Sequence, residues 1–378
     1  MDIRETKDIR SLNKLTILNT IIEYKNVSRA DIANITSLNK ATVSTIVKEL
    51  IEDKLIEEGI TGESTGGRKP IILTLRENIG FVIAIDLNVS VINIMLSDIN
   101  LKPVHTYHLP IETNNFEDVF ADLCDILDDI INCLPPSTYG LVGISVAVRG
   151  VVDLEGIIRF IPDLKWMNIN IKNMLEAKFK VPVYVDNDGN YSAMAEHHLN
   201  PNYKELVVIT VDDVITGGII SNNKLIRGFL GFANSIGHHI IDFNYNEQCT
   251  CGKYGCWEQF CSSKSMLKHI NKHMDVKDID EFISLAKNEN PYALEVLDLF
   301  TKYMAIGITN LIFILNCEHI IINSKLISAM PELIHDIHSL IVLPITNFQD
   351  ISVSLLGDKA PLMGASQICR LNFFKNLC

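Results

Sequence analysis

The chain has 378 residues, 47% apolar and 21% charged, with no low-complexity tract, so it carries enough material for two or three folded domains and is not a disordered tether. Its net charge of −13 argues against non-specific coating of nucleic acid, yet residues 1–70 are net neutral and the rest carries the whole excess. Any nucleic-acid surface must therefore be local. Residues 1–10 are charged throughout, which predicts no secretion signal and a cytoplasmic protein.

Apolar positions Leu15, Leu18, Ile21 and Ile22 recur at helical spacing and predict an amphipathic helix as far as Tyr24. Ser28 opens a second helix, with Asp31 three residues on as the acidic half of a capping box and Ile32 and Ile35 facing inward. Asn39 is the expected N-cap of a third helix, whose Val43, Ile46, Val47, Leu50 and Ile51 form one apolar stripe. Its other face carries Lys40, Thr42, Ser44, Thr45 and Lys48: short donors and cations suited to phosphate oxygens and base edges. Two short apolar runs, 55–58 and Ile71–Leu75, flank a Gly-rich tip and predict a β-hairpin wing whose Arg68 and Lys69 could clamp phosphate. The pattern is a winged helix-turn-helix over residues 1–75; a three-helix packing module is the plainer alternative. A net-neutral copy would bind DNA weakly, so a dimer on a two-fold site is expected.

Beyond residue 76, strands are expected at Phe81–Leu87, 91–96 and 104–109, then a helix over 116–133. Strand 141–146, a helix, strand 181–185 and another helix follow. Leu206–Val211 and 217–220 begin a second sheet, with further strands near Ile320 and Val353 among helices. Two α/β lobes around a cleft result, with a ligand between them. The apolar stretch 305–322 is interrupted by Asn310, Asn316 and Glu318, so it reads as a core helix running into a core strand and not as a membrane span.

The most specific signal is His238, Cys249, Cys251 and Cys256: one imidazole and three thiolates make a complete tetrahedral set for zinc. Four protein ligands leave no position for a reacting water, so the Zn2+ would be structural. His239 competes with His238 as the nitrogen donor. The other six cysteines, Cys124, Cys133, Cys261, Cys317, Cys369 and Cys378, lack such spacing and read as small apolar residues or idle thiols.

Gly237-His238, the Cys-x-Cys-Gly-x-x-Gly-Cys-x-Glu run from Cys249 to Glu258, and Val185-Asp186-Asn187-Asp188 stand in the order seen in the ROK family of repressors and sugar kinases. Gly143-Ile144-Ser145, Pro162-Asp163-Leu164-x-Trp166 and Gly364-Ala365 also resemble that family. With the N-terminal winged helix, the chain resembles the XylR/NagC-type branch of sugar-responsive repressors more than the free-standing kinases. The resemblance implies a two-lobed actin-like, sugar-kinase-like domain over 76–378 that also oligomerises. It further implies a homodimer or homotetramer, control of carbohydrate genes (xylose metabolism among them), and double-stranded operator DNA as partner.

The same resemblance marks where nucleotide binding would be lost. Kinases of the family have Asp-x-Gly-Gly-Thr after the first strand; here it reads Asp86-Leu87-Asn88-Val89-Ser90. Their second Gly-rich loop is Asp212-Asp213-Val214-Ile215-Thr216-Gly217-Gly218, whose carboxylates would repel polyphosphate, and a third Gly-Gly is Asn323-Ser324. On the sugar side, Asn187, Asp188, His238 and Glu258 match hydroxyl-gripping positions, with Asp163 where the family often has Asn; Ser235 replaces a hydroxyl-binding Glu. The expectation is a repressor that binds a sugar and catalyses nothing. The alternatives are a carbohydrate kinase with a DNA-binding appendage, and a scaffold with no effector.

Overall fold

The structure is a computed structural model that describes residues 3–61, 70–233, 235–342 and 350–378. The N-terminal part contains α1 (Ile3–Tyr24), β1 (Val27–Ser28), α2 (Arg29–Thr36), α3 (Lys40–Glu52), β2 (Ile56–Thr61) and β3 (Ile71–Leu75). The capping box forms: the Ser28 hydroxyl accepts from the Asp31 amide, and the Asp31 carboxylate accepts from the Ser28 amide at 2.9 Å. Asn39 caps α3 through the Thr42 amide at 2.8 Å. Ile32 is buried, but Ile35 is exposed. Helix α2 ends at Thr36, with Ser37 in the left-handed region, and the inward seats are filled by Ile32 and Ala33. Strand β3 is central in a sheet of order β1-β3-β2. Arg68 and Lys69 lie outside the described residues.

The first lobe runs through β4 (Phe81–Leu87), β5 (Val91–Asp98), β6 (Pro103–Pro110), α4 (Phe116–Asn132), β7 (Leu141–Val148), β8 (Val151–Val152), β9 (Ile158–Ile161), β10 (Trp166–Ile169), α5 (Ile171–Phe179), β11 (Val183–Asn187) and α6 (Asp188–Leu199). Its main sheet has the order β11-β7-β4-β5-β6, with β4 to β6 an antiparallel meander and β7 and β11 parallel to β4. Only a helix was expected between β7 and β11; a small sheet, β10-β9-β8, precedes it. Strands of two to four residues are too short to display a two-residue period, so the sequence pattern passes over them. Trp166 anchors this sheet, edge-on to Phe116 and donating its indole N–H to the Asn114 carbonyl at 2.8 Å.

The second lobe comprises β12 (Leu206–Val211), β13 (Ile215–Ser221), β14 (Lys224–Leu225), α7 (Glu258–Cys261), α8 (Ser263–Ile270), α9 (Ile279–Lys287), α10 (Pro291–Leu315), β15 (His319–Ser324), α11 (Lys325–Ala329), α12 (Leu333–Leu340) and β16 (Asp350–Val353). Its sheet order is β14-β13-β12-β15-β16. Helix α10 is long and apolar enough by composition to cross a membrane, but it packs in this lobe's core, with Phe300, Met304 and Ile308 fully buried. It runs into β15 as the residue pattern of 305–322 predicts.

The final helix, α13 (Ala360–Leu377), returns to the first lobe and packs on β4 and β7. Helix α6 leaves the first lobe's sheet but packs on β12 and β13 of the second, and α6 and α13 pack on each other. These two helices join the lobes. One apolar cluster continues from Ile17, Leu18, Val47 and Leu50 of the N-terminal part to Val82, Ile99 and Val142 of the first lobe and Cys369 and Phe374 of α13. The Lys14 ammonium donates to the Leu377 carbonyl at 3.3 Å, and the Tyr139 hydroxyl to the Asp53 carbonyl at 2.9 Å. The N-terminal part is thus welded to the first lobe.

Candidate functional site

Between β14 and α7 the chain makes a long loop closed by the isolated bridges Ile240–Cys256 and Gln248–Tyr254. Gly255, at φ +73°, lies so near Asp242 that a Cβ would stand 1.8 Å from its carbonyl oxygen, so only glycine lets the loop fold this tightly. The folding brings His238, Cys249, Cys251 and Cys256 together with their ligand atoms all within 4.8 Å of one another. Cys249 Sγ is 3.5 Å from His238 Nδ1, and Cys251 Sγ is 3.5 Å from Cys256 Sγ. The edges of a tetrahedron with zinc–ligand bond lengths are roughly 3.5–3.8 Å, so the donors present fit a dication in number, chemistry and spacing. Burial pushes the Cys256 thiol up to about 11 and raises Cys249 as well; a cation would draw both to the thiolate. His239 packs on Trp257 with ring centroids 5.0 Å apart, and the nitrogen clustered with the three sulfurs is that of His238. Of the remaining cysteines, Cys133 is exposed and Cys378 half-buried, whereas Cys124, Cys261, Cys317 and Cys369 are buried.

A cleft of about 230 Å³ separates the lobes beside this cluster. Arg149, Asp163, Asn187, Thr216, His238 and Glu258 are among its lining residues. His238 turns Nδ1 toward Cys249, leaving its other ring nitrogen for the cleft. Glu258 opens α7 at the junction of cluster and cleft, 3.0 Å from Cys249 Sγ and 3.4 Å from His238 Nδ1. Asp163, on the turn between β9 and β10, meets Lys264 of α8 at 3.6 Å.

The Asn187–Asp188 pair sits where β11 passes into α6, and its two members differ sharply. The Asn187 amide is engaged by backbone: its oxygen caps Gly189 at 2.8 Å and its nitrogen donates to the Gly150 carbonyl at 2.9 Å. Asp188 is buried and does not line the cleft; Arg149 covers it, with Nε 3.6 Å from Asp188 Oδ2. Burial, partly opposed by Arg149, raises the Asp188 carboxyl to about 6.

Arg149 is the residue sequence reading missed. It follows β7, in a position no periodicity marks. Its Nη1 reaches Asp212, at the end of β12 across the cleft, at 2.9 Å. Burial opposes its charge, but Asp188, Asp212 and Asp86 outweigh that and hold the guanidinium protonated. Asp86 is buried and raised by desolvation, held by Asn88 at 2.7 Å and Asn93 at 3.2 Å. Both amides hold the same Asp86 oxygen, Oδ2, while Asp86 Oδ1 and Asn88 Oδ1 stay buried without a partner among the described residues. Asp212 and Asp213 lie in the β12–β13 turn, while Gly217 and Gly218 lie within β13, Gly218 against Gly189 and Ala193 of α6 and Gly217 against Ile236.

On the N-terminal part, Lys40, Ser44, Thr45 and Lys48 are exposed along one face of α3, with Thr42 half-exposed. Among the described residues Lys48 pairs with Glu52 at 3.7 Å, both exposed, a weak tie that leaves its charge available to a ligand.

The sequence profile described as the ROK family matches residues 82–371. The chain is 33% identical over 374 residues to a xylose repressor of Bacillus spizizenii, covering 97% of both chains. Among solved structures it is similar to a ROK family transcriptional regulator described as a homolog of the Escherichia coli MLC protein, with TM-score 0.84, 21% identity and 98% of both chains covered. It is also similar to a ROK family glucokinase from Streptomyces griseus in complex with glucose and AMPPNP, with TM-score 0.69 and 21% identity. That match covers 77% of this chain and 99% of the glucokinase.

Proposed function

The chain belongs to the ROK family, and from that footing we propose that it is a DNA-binding transcriptional repressor of carbohydrate genes, released or engaged by a sugar. The observation that carries the reading is full-length similarity to a xylose repressor, running through both the α3 face and the cleft. Residues 1–75 are the reading head. Lys40, Thr42, Ser44, Thr45 and Lys48 face the major groove, and Arg68 and Lys69 contact the backbone from the wing. Two heads on a two-fold operator make up for the weak charge of one, in a homodimer or homotetramer.

Residues 76–378 are the sensor. Asp163, Asn187, Asp188, His238 and Glu258 are its sugar-binding groups, for carboxylates and amides offer paired acceptors and donors to vicinal hydroxyls. Zinc held by His238, Cys249, Cys251 and Cys256 braces the loop that presents His238 and Glu258, with no part in chemistry. A sugar that binds one arrangement of the lobes better than the other shifts how the heads are presented. Xylose is the first sugar to try, since the similar chains bear that name.

Catalysis is not part of this reading. Arg149 and the carboxylates Asp86 and Asp212 crowd the region where a triphosphate would need backbone amides, and Asp188 is covered. The kinase alternative requires ATP-dependent phosphorylation of a sugar by metal-replete protein.

The test is fluorescence anisotropy of the full-length protein on DNA from upstream of its own gene, with and without neutral sugars, sugar phosphates and ATP. Operator binding that one sugar alters and ATP does not is expected. Sustained sugar phosphorylation would replace this reading with the kinase one, and absence of specific DNA binding would remove it. Point variants on α3 are the proper controls. Deleting residues 1–75 would bare Val82, Ile99, Val142 and Phe374, and so test folding instead.

A further inference from the structure

Two ion pairs join the lobes beside the cleft, whose lining includes Arg149, Asp163 and Lys264. Arg149 of the first lobe reaches Asp212 of the second at 2.9 Å, and Asp163 of the first reaches Lys264 of the second at 3.6 Å. They are mechanically joined, because the Ser263 amide at the start of α8 donates to the Asp212 carbonyl at 2.8 Å. Displacing Asp212 therefore moves the base of the helix that carries Lys264. A third interlobe pair, Arg227 with Asp186 at 2.7 Å, stands apart from the cleft lining.

The guanidinium of Arg149 is imperfectly seated. Its Nε is buried, 3.6 Å from Asp188 Oδ2, and has no hydrogen-bond partner among the described residues. Thr216 Oγ1, also on the cleft wall, is likewise buried without a protein partner. A buried donor left unmatched costs stability, so Arg149 holds this seat at a cost that displacement relieves, and Thr216 Oγ1 is open to a ligand hydroxyl. Arg149 lines the cleft and pairs with Asp188, which is buried and does not line it.

We propose that Arg149 is a latch that the sugar must displace: in the sugar-free protein it ties the lobes through Asp212, and sugar hydroxyls take its place over Asp188 and beside Thr216. The proposal rests on the sugar-sensor reading and adds the residue that sets its threshold. The ligand it selects is uncharged and carries vicinal hydroxyls. With Arg149 moved aside, the carboxylates it neutralises, Asp188, Asp212 and Asp86, would repel a phosphate monoester. Each lysine of the opposite rim is already paired, Lys264 with Asp163 and Lys268 with Glu247. Binding energy spent on opening the latch is subtracted from apparent affinity and appears as the conformational response.

The test measures D-xylose and D-glucose affinity by calorimetry, and sugar-free operator affinity by anisotropy, on full-length protein. Asp212→Asn takes the charge out of the interlobe tie and so weakens it, yet leaves Arg149 with Asp188. It should tighten sugar binding by about fivefold or more and move sugar-free operator affinity toward the wild-type sugar-bound value. Arg149→Met should do the same, and Arg149→Lys, which keeps the charge with a single point of attachment, should fall between. Arg227→Met, which breaks the pair outside the cleft, should leave sugar affinity unchanged. A responsive wild type matched by Asp212→Asn in both affinities overturns the latch alone. So does a folded Arg149→Met that no longer binds sugar, because Arg149 would then be a sugar contact and not a barrier. If wild type and Asp212→Asn both ignore every sugar, the sensor reading falls and the latch with it.

Discussion

Gly364 of α13 lies so close to Tyr191 of α6 that a Cβ on the glycine would stand 1.9 Å from the tyrosine carbonyl oxygen. The contact is backbone against backbone, so no rotamer change relieves it. It occurs where the two lobe-joining helices meet, three residues beyond the Asp188 turn. Tyr191 is itself held from the sheet side, its hydroxyl bonded to Ser145 at 2.8 Å.

Gly364→Ala should therefore cost about 1–3 kcal/mol or more, as overpacking does when the neighbour is main chain. Chemical denaturation measures it. An unchanged midpoint would mean that α6 and α13 can part freely, contrary to their packing here.

The metal cluster makes a second prediction. One zinc per chain should be found in undenatured protein, and Cys251→Ser should lose it along with thermal stability, at roughly 2–4 °C in Tm for each kcal/mol withdrawn. A chelator should reproduce the effect on wild type and do nothing further to the variant. Metal analysis well short of one zinc per chain would count against the site.

Asp188 should impose a pH dependence. Its carboxyl is raised to about 6 by burial, above the unfolded value of about 3.9. Its favourable contribution is thus fully present below about pH 3.9 and lost as pH rises through about 6, a swing of roughly 3 kcal/mol at most. Asp188→Asn, which stays neutral, should gain on wild type by about 2 kcal/mol between about pH 4.5 and pH 7.5 in urea unfolding. A gap that stays flat over that range would show that Arg149 fully compensates the buried charge.

On α3, Lys48→Ala should lower the slope of log affinity against log salt by about one, with little effect on sequence preference. Ser44→Ala should do the reverse, relaxing preference at one base position while leaving the slope alone. Competition binding at several salt concentrations separates the two. Equal behaviour of both variants would place the groove face elsewhere.

Much of this was legible because it is local. Ser28 with Asp31 and Asn39 with Thr42 are four-residue devices, and the Cys249-Thr250-Cys251 run announces its chemistry within one turn of chain. What escaped is non-local or too short. Arg149 takes its meaning from Asp188 and Asp212, on other elements, and no spacing rule links them. The backbone partners of the Asn187 amide at Gly150 and Gly189, one of them on another element, are likewise invisible in the sequence. Ile35 fits the helical stripe of α2 but arrives one residue before the helix ends.

The apolar cluster that runs from Ile17 and Leu50 through Val82 to Phe374 bears on how such chains can be recombined. A reading head borrowed from another regulator would meet, on this sensor, a socket shaped by Tyr139, Phe373 and the last turn of α13. Chimeras joined at residue 75 alone should misfit, whereas those that also exchange the final helix should keep both operator choice and sugar response. The two ends of the chain form one inheritance unit, so changes of DNA specificity are expected on α3 itself rather than by wholesale replacement of the head.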